Sequence, residues 1–382
     1  MLEQYGNFTK EDYYYMRRAI SLAKKGIGYV NPNPPVGAVI VKDGKIIGSG
    51  YHKAYGQYHA ERVAIMSAKN NDADLRGATM YVTLEPCDHW GKTPPCTEAI
   101  IESGISRVVV ATRDPNPISG DGVTKLKNAD IEVCVGLMEK ESKDIMKFFI
   151  KSVTKKMPYV TLKYAATLDG KIADQDGNSK WITNNMRNTV HKLRHEHMAI
   201  LVGANTILKD NPYLNTRLSA NIKHLNPIKI ILDREGRILK LEDLTNLNIF
   251  KTTDNHGFGK VILFTSHKDD SHAKSLEEKV KVIHSEEITS EFVLKTLHNL
   301  KINSLLVEGG SEIFSQFLGF ADEIYAFYAL KVLGKGLDVF SCISNSLKSS
   351  HEPFKDFEIS KLTVSKDKKE FMVVIKRCSR EL

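Results

Sequence analysis

Apolar and polar positions along the first 135 residues predict a layered domain in which strands and helices alternate. Residues 11–25 carry apolar side chains at a spacing near 3.6, which predicts a helix that ends at Gly26. Two apolar runs then flank Asp43-Gly44, a dipeptide typical of β-hairpins. The predicted strands are 36–41, 46–51, 78–84, 107–112 and 131–135, and the later predicted helices are 59–69, 97–103 and 121–127.

The pattern begins again after a predicted amphipathic helix at residues 137–153. A basic segment ending in Met157-Pro158 follows this helix, and we therefore predict two domains, at residues 1–150 and 151–382. In the second domain, helices are predicted at 185–195 and 312–318, and strands at 159–165, 199–202, 228–232, 261–265, 280–283 and 304–307. Residues 239–259 fit neither period and are predicted to form a surface insertion.

Charge and cysteine content narrow the class of protein. The formal net charge is +8, but basic and acidic residues are mixed along both halves, which favours anionic small molecules over nucleic acid as ligands. Five cysteines, an odd number, and an N-terminus without an apolar leader predict reduced thiols and a cytoplasmic protein. No apolar run reaches the roughly 18 residues that a membrane helix needs.

His59-Ala60-Glu61 and Pro86-Cys87, followed by Cys96, carry the clearest chemistry in the chain. One imidazole and two thiolates are zinc ligands, and three ligands leave a fourth position for a water whose pKa falls to roughly 7. A glutamate two residues after the histidine is the general acid/base of zinc deaminases. We therefore predict a catalytic zinc site at His59, Cys87 and Cys96, with Glu61 moving protons.

Two other readings compete with a catalytic zinc. A structural zinc needs four protein ligands, and only His89 could supply the fourth; its closeness to Cys87 favours a contact with substrate instead. A nucleic-acid base deaminase would have two residues between its cysteines and a short chain or an RNA-binding arm. Here eight residues separate Cys87 from Cys96 and no such arm is present.

The first half resembles the deaminase domain of bifunctional riboflavin-biosynthesis deaminase/reductases. The resemblance rests on the long cysteine interval with its Gly-Lys-Thr-Pro-Pro sequence, on the turn around Asn33, and on Arg-Asp-Pro-Asn-Pro at residues 113–117. It implies a cytidine-deaminase-like three-layer α/β/α fold and Zn²⁺-dependent hydrolytic deamination of 2,5-diamino-6-ribosylamino-4(3H)-pyrimidinone 5′-phosphate. The substrate contacts that it implies are Asn33, His52, His89, Lys92, Thr93, Asp114 and Asn116.

The second half is similar to the reductase domain of the same family, at residues 165–171, 179–183, 210–217 and 307–310. The similarity implies a dihydrofolate-reductase-like α/β fold and NADPH as the hydride donor that opens the ribosylamine at C1′. The implied substrate contacts are Lys163, Ser179, Trp181, Arg194, Asp210, Leu214, Arg217 and Glu308. The implied cofactor contacts are Thr167, Thr206, Ser266, Gly309 and Gly310.

Three points in the second half stay open at this level. Either Asp210 or Glu308 is expected to protonate the ring oxygen as the sugar opens. Met198 stands where the family usually has an aspartate, so any contact from that carboxylate is lost. An alternative is an active deaminase fused to a reductase-like domain that only binds or dimerises, which the retained polar residues disfavour.

The expected ligands are phosphorylated pyrimidines, without nucleic acid or membrane, and the resemblance implies a homodimer or larger homo-oligomer.

Overall fold

Contacts in a computed structural model divide the chain into two units, Met1–Lys156 and Met157–Leu382. The structure describes residues 8–91, 94–179, 186–218, 224–241, 243–252, 254, 256, 259, 261–268, 279–340 and 357–378. Within these ranges, no helix is both long and apolar enough to cross a membrane.

The first unit is built on a five-stranded mixed sheet in the order β2-β1-β3-β4-β5. Strand β1 is antiparallel to both of its neighbours, whereas β3, β4 and β5 run parallel, as helical crossovers require. The elements are α1 (Lys10–Ala23), β1 (Gly37–Lys42), β2 (Lys45–Tyr51), α2 (Ala60–Lys69), β3 (Thr79–Val82), α3 (Cys96–Glu102), β4 (Arg107–Val110), α4 (Gly122–Asn128), β5 (Glu132–Val135), α5 (Glu139–Ile145) and α6 (Lys147–Lys155).

Both faces of this sheet are covered by helices. Ile40 and its equivalents on the neighbouring strands pack against α2, α3 and α4, while Val39 and its equivalents pack against α1. Successive side chains of a strand point to opposite faces, so these apolar strands make two cores and the predicted α/β/α layering is confirmed. The single helix predicted at 137–153 is wrong, because the chain breaks at Met146 between α5 and α6.

Close packing of β2 on α2 fixes the start of the helix that follows His59. A Cβ atom at Gly50 would lie 2.6 Å from the carbonyl oxygen of Ala60, and one at Gly48 would lie 2.5 Å from that of Ala64. Glycine therefore lets the strand approach the helix backbone more closely than any other residue could. His59 is the N-cap residue of α2, in extended conformation, so its position depends on this contact.

The second unit contains a nine-stranded sheet in the order β11-β10-β9-β8-β12-β6-β13-β16-β15. From β11 to β13 in this sheet order, neighbouring strands are parallel. Strand β16 is antiparallel to both of its neighbours, β13 and β15. The elements are β6 (Tyr159–Thr167), β7 (Lys171–Ala173), α7 (Arg187–Glu196), β8 (Ala199–Gly203), α8 (Ala204–Asp210), β9 (Ile228–Leu232), β10 (Val261–Thr265), β11 (Val280–His284), α9 (Ser290–Asn299), β12 (Ser304–Val307), α10 (Ser311–Phe317), β13 (Glu323–Ala329), β14 (Leu337–Asp338), β15 (Phe357–Val364) and β16 (Glu370–Arg377).

Two cores cover the parallel part of this sheet. One core joins the strands to α9 and α10, and Met198, which stands where the family usually has an aspartate, is buried in it. The other core joins the opposite face to α7, α8 and a segment that contains two short 3₁₀ helices, Leu244–Asn246 and Asn248–Phe250. The prediction of a surface insertion at 239–259 is wrong for the described part of that segment, because its apolar side chains are buried in this second core: Leu239, Leu244, Leu247 and Ile249.

The carboxyl ends of the central strands place the functional residues of this unit. Strands β8 and β12 are neighbours, and the chain leaves β8 towards one edge of the sheet and returns at β12. In open parallel sheets, ligands bind outside the strand ends at such a switch point. Gly203 ends β8 and Glu308 follows β12, so both lie at this point.

Candidate active sites

Three elements of the first unit bring His59, Cys87 and Cys96 together. His59 precedes α2, Cys87 lies in the loop after β3, and Cys96 is the first residue of α3. The Nδ1 atom of His59 lies 3.5 Å from Sγ of Cys87 and 3.4 Å from Sγ of Cys96. All three ligand atoms lie within 4.8 Å of one another, which makes this a candidate metal site.

These distances fit a zinc ion. With Zn–N and Zn–S bonds of about 2.0 and 2.3 Å, tetrahedral geometry separates a nitrogen ligand from a sulfur ligand by about 3.5 Å. The Cys96 thiol and the His59 imidazole stabilise the Cys87 thiolate and lower the pKa of Cys87 to about 4, which favours the ligand form. Among the described residues, His89 is not part of the cluster, so the group has three ligands and the four-ligand reading is not supported.

Glu61 lies beside these ligands with an unused oxygen. Its side chain is buried, and Oε2 makes no hydrogen bond within the described part of the chain. Burial raises the pKa of Glu61 to about 7, so this carboxyl is close to the balance between its two protonation states at neutral pH. Such a group can both accept and donate a proton.

A cavity of about 260 Å³ joins these groups to the predicted substrate contacts. The amide nitrogen of Asn33 lies 3.2 Å from Nε2 of His52, while Nδ1 of His52 lies 3.1 Å from the carbonyl oxygen of Tyr58. Nδ1 therefore carries the proton, and Nε2 accepts from Asn33. Lys92 and Thr93 lie outside the described residues, whereas the remaining predicted contacts all line the cavity: Asn33, His52, His89, Asp114 and Asn116.

Sequence reasoning missed one charged residue of this cavity, Glu85. Its carboxylate is buried and accepts hydrogen bonds from the backbone nitrogens of Asp114 and Val123 and from the Arg113 side chain. The only signal in the sequence is that Glu85 directly precedes Pro86-Cys87. Its partners lie about thirty residues later, a distance at which no local pattern could connect them.

A larger cavity, of about 800 Å³, lies at the strand ends of the second unit. Trp181 lies outside the described residues. Two predicted cofactor contacts are not among the lining residues: Thr167 donates to Asp169 at 2.6 Å within its own turn, and Ser266 donates to the Glu286 carbonyl. The predicted residues that do line the cavity are Lys163, Ser179, Arg194, Thr206, Asp210, Leu214, Arg217, Glu308, Gly309 and Gly310.

Three charged side chains that line this cavity form a largely buried ion triad. Arg194 donates to both oxygens of Glu308, at 2.8 and 3.0 Å, and Lys163 lies 3.5 Å from the same carboxylate. Burial alone would raise the pKa of Glu308, but Arg194 and then Lys163 lower it to about 2. An ionised carboxylate has no proton to donate, which favours Asp210 over Glu308 as the expected acid.

Arg234 and Arg237 also line this cavity and were not predicted from the sequence. Both belong to the turn after β9, where the Asp233 carboxylate accepts from the backbone nitrogens of Arg237 and Ile238 at 2.9 and 2.7 Å. Arg237 in turn donates to Asn205 on α8. Arginines are common on protein surfaces, so two of them after a predicted strand do not by themselves indicate a ligand site.

Two family models match the chain and cover the two units separately. Residues 9–112 match the cytidine and deoxycytidylate deaminase zinc-binding region, and residues 158–357 match the RibD C-terminal domain. The zinc cluster lies within the first match. Glu308 and most of the lining of the larger cavity lie within the second.

Whole-chain relatives extend over both matches. The riboflavin biosynthesis protein RibD of Aquifex aeolicus is 46% identical over 343 residues, which are 89% of this chain and 92% of that protein. RibD of Escherichia coli is 37% identical over 85% of this chain and 89% of its own length.

Solved structures give the same picture. A diaminohydroxyphosphoribosylaminopyrimidine deaminase/5-amino-6-(5-phosphoribosylamino)uracil reductase from Thermotoga maritima superposes with a TM-score of 0.85 at 48% identity, and the match covers 96% of this chain and 99% of that one. For one form of Acinetobacter baumannii RibD, the TM-score is 0.82 at 34% identity, with 97% and 99% covered.

Proposed function

Because this chain belongs to the RibD family of bifunctional riboflavin-biosynthesis enzymes, we propose that its two cavities catalyse consecutive steps on one pyrimidine phosphate. The first unit, a zinc-dependent deaminase, would deaminate 2,5-diamino-6-ribosylamino-4(3H)-pyrimidinone 5′-phosphate. The second, an NADPH-dependent reductase, would reduce the ribosyl chain to ribityl. The observation that supports this proposal best is the metal cluster of His59, Cys87 and Cys96 next to Glu61, which lines the same cavity as His59 and Cys87 and whose Oε2 has no hydrogen-bond partner among the described residues.

In the deaminase unit, proton transfer falls to Glu61. A zinc ion at the three ligands supplies a water that is acidic enough to react at neutral pH. Glu61 would accept one proton of the attacking water and pass it to the adjacent ring nitrogen, then accept the second proton from the hydroxyl now on the ring carbon and pass it to the amine, which leaves as ammonia. Its raised pKa and burial suit a group that must change protonation state twice.

The other residues of this cavity would bind the substrate. Asn33 donates one amide proton to His52, and its amide oxygen would accept a hydrogen bond from the pyrimidine ring. Asp114 and Asn116 lie in the loop that lines the same cavity and would contact the ribose phosphate. His89, Lys92 and Thr93 remain predicted substrate contacts from the resemblance.

In the reductase unit, the triad would bind and orient the ribosyl substrate. NADPH supplies the hydride when it is bound, and Thr206, Gly309 and Gly310 line the cavity where it would lie. Arg194 donates to Glu308 and Lys163 lies 3.5 Å from it, so this carboxylate holds both cations at the cavity. Asp210 would give the proton that the ring oxygen needs when the sugar opens.

The test of the deaminase assignment is Glu61→Gln, with ammonia release and zinc content measured on the same samples. We expect one zinc per chain in both proteins and a loss of turnover of at least about 100-fold in the variant, as for removal of a general acid/base. Deamination by Glu61→Gln at the wild-type rate would contradict the assignment.

The reductase assignment is separated from an inactive, dimerising domain by NADPH oxidation on the deaminated substrate, with zinc removed by a chelator. We expect oxidation to persist without zinc, and Asp210→Asn to slow it while deamination stays unchanged. No oxidation by the wild-type protein would favour the inactive domain. Self-association into a homodimer stays a prediction, which light scattering would measure.

A further inference from the structure

Glu85 links the zinc ligands to the loop that carries Asp114 and Asn116. We propose that Glu85 is a positioning residue: its buried carboxylate fixes residues 113–123, and with them the anchor of the substrate's ribose phosphate, relative to Cys87. The inference rests on the proposed function of the first unit. It adds a residue that touches neither the metal ligands nor, on this proposal, the substrate.

The two oxygens of Glu85 have separate tasks. Oε1 accepts from Arg113 Nη1 at 3.1 Å and from the backbone nitrogen of Val123 at 3.0 Å. Oε2 accepts from the backbone nitrogen of Asp114 at 3.2 Å. One carboxylate, 5% exposed, thus joins both ends of the 113–123 loop to the residue two positions before Cys87. Hydrogen bonds to a charged acceptor are the stronger kind, so this junction is rigid.

Backbone contacts place the two segments against each other, and the backbone nitrogen of Glu85 holds the chain as far as Thr112, to whose carbonyl it donates at 2.9 Å. A Cβ atom at Gly122 would lie 1.8 Å from the carbonyl oxygen of Pro86, so only glycine fits there. The backbone nitrogen of Asp88 donates to the Ser119 carbonyl at 2.7 Å. These contacts hold the middle and the end of the loop, whereas the backbone nitrogen of Asp114 depends on Glu85.

The Asp114 end is the part that faces the cavity. Oδ1 of Asp114 accepts from the backbone nitrogen of Asn116 at 2.8 Å, and Ser119 donates to the Asn116 carbonyl at 2.7 Å. Asp114, Asn116 and Ser119 all line the cavity. A shift of the Asp114 backbone would therefore move the predicted phosphate anchor as one body, while the zinc ligands stay where they are.

Glu85→Gln separates these contacts by chemistry. Glutamine has one acceptor oxygen, and the two donors at the Oε1 side keep that oxygen facing Val123 and Arg113. Its NH₂ group then faces the backbone nitrogen of Asp114, donor against donor. The variant thus releases Asp114 selectively. The backbone hydrogen bonds between the two cysteine ligands do not involve Glu85 and should persist: the Cys87 carbonyl accepts from the backbone nitrogens of Cys96 and Thr97 at 3.1 and 3.3 Å.

Asp12 offers a matched control for loss of stability. It is also a buried carboxylate of the first unit, and it accepts from an arginine, Arg107, at 2.8 Å and from a backbone nitrogen, that of Thr9, at 2.8 Å. It lies in the first turn of α1 and is not among the residues that line the cavity. Asp12→Asn should therefore cost stability as Glu85→Gln does, without a change in substrate affinity.

The experiment measures ammonia release against substrate concentration for wild type, Glu85→Gln, Arg113→Gln and Asp12→Asn, with zinc content and thermal midpoint for each. We expect Glu85→Gln to keep one zinc per chain and to raise KM at least about ten-fold, with a smaller change in kcat. Arg113→Gln, which leaves both backbone contacts to Glu85 in place, should raise KM by no more than about three-fold. Asp12→Asn should leave KM unchanged.

An unchanged KM for Glu85→Gln would overturn the inference, as would an equal rise in KM for Asp12→Asn at the same thermal midpoint. Loss of zinc from Glu85→Gln would also overturn it, since the residue would then support the metal ligands themselves. No ammonia release by the wild-type protein would overturn the proposed function and this inference with it. Wild-type turnover with an unchanged variant KM would overturn the inference alone.

Discussion

Replacing Arg194 by methionine tests whether the triad in the reductase cavity is held together by charge. The guanidinium donates to both oxygens of Glu308 and, through Nη1, to the Asn215 carbonyl at 3.1 Å. Methionine keeps much of the side-chain volume but removes all three bonds. Glu308, whose side chain is 8% exposed, would then have Lys163 at 3.5 Å as its one cationic partner within the described part of the chain.

The expected loss follows from the desolvation of a buried charge. Removing one partner of a buried ion pair costs about 3–5 kcal/mol, because the remaining charge is left without its compensation. For a domain of this size, each 1 kcal/mol lowers the thermal midpoint by about 2–4 °C, so the reductase unit should melt roughly 10 °C earlier. The pKa of Glu308 should rise at the same time, because its first cationic neighbour is gone.

The assay is differential scanning calorimetry of the full chain, with deaminase turnover as the internal control. A double variant, Arg194→Met with Glu308→Gln, removes the stranded charge and should regain about 2 kcal/mol or more of the lost stability. Neither variant should oxidise NADPH at a rate near that of wild type, and both should deaminate normally. Recovery of stability without recovery of activity would separate the structural part of the triad from its part in binding.

Two results would refute this reasoning. A single variant that unfolds within about 1 kcal/mol of wild type would mean that the triad adds no net stability. A double variant no more stable than the single one would mean that lost packing of the arginine stem causes the damage, and the unpaired carboxylate does not.

Three further outcomes follow from the first unit. Arg107 and the Thr9 amide hold the pKa of Asp12 at about 2 against the effect of burial, below its value of about 4 in the unfolded chain. The wild-type protein should therefore lose about 1–2 kcal/mol of stability as pH falls from 5 to 2. Urea unfolding of Asp12→Asn should show a flatter dependence of stability on pH. Gly50→Ala should cost about 1–3 kcal/mol, because the new Cβ meets the α2 backbone, whereas Gly319→Ala, with open space, should cost less than about 1 kcal/mol in thermal melts. Cys87→Ser should purify with well under one zinc per chain by elemental analysis, and full occupancy would remove Cys87 from the ligand set; Cys134→Ser, which alters a cysteine outside the cluster, should keep its zinc.

The zinc cluster could be predicted from the sequence because its signal is local. His59 and Glu61 are two residues apart, and proline precedes Cys87, so ligand type and spacing can be read without a fold. Strand positions in the second unit were equally accessible, because buried parallel strands are continuous apolar runs bounded by turns. Residues 228–232 and 304–307 are strands at the predicted positions.

The features that could not be predicted from the sequence depend on tertiary contacts. Leu244, Leu247 and Ile249 have no α-helical or strand period, yet they cover one face of the second sheet, because short 3₁₀ helices and the turns between them can still bury apolar side chains. Glu85 has partners 28 to 38 residues away, and the pKa of Glu308 is lowered by Arg194 on α7 and Lys163 on β6, both distant in the sequence. Local patterns give residue types, whereas protonation states follow from neighbours that only the fold supplies.

The ion triad of Lys163, Arg194 and Glu308 also has a net charge. Two cations face one anion, so the triad carries a single positive charge, and the lining of the larger cavity, as far as the structure describes it, has seven Lys and Arg side chains against four Asp and Glu side chains. Low-dielectric walls concentrate such a field towards the opening, and added salt weakens it over a distance of about 10 Å at 0.1 M ionic strength. Ligands that carry phosphate are thereby drawn inward before any hydrogen bond forms, and their rate of capture should fall as ionic strength rises.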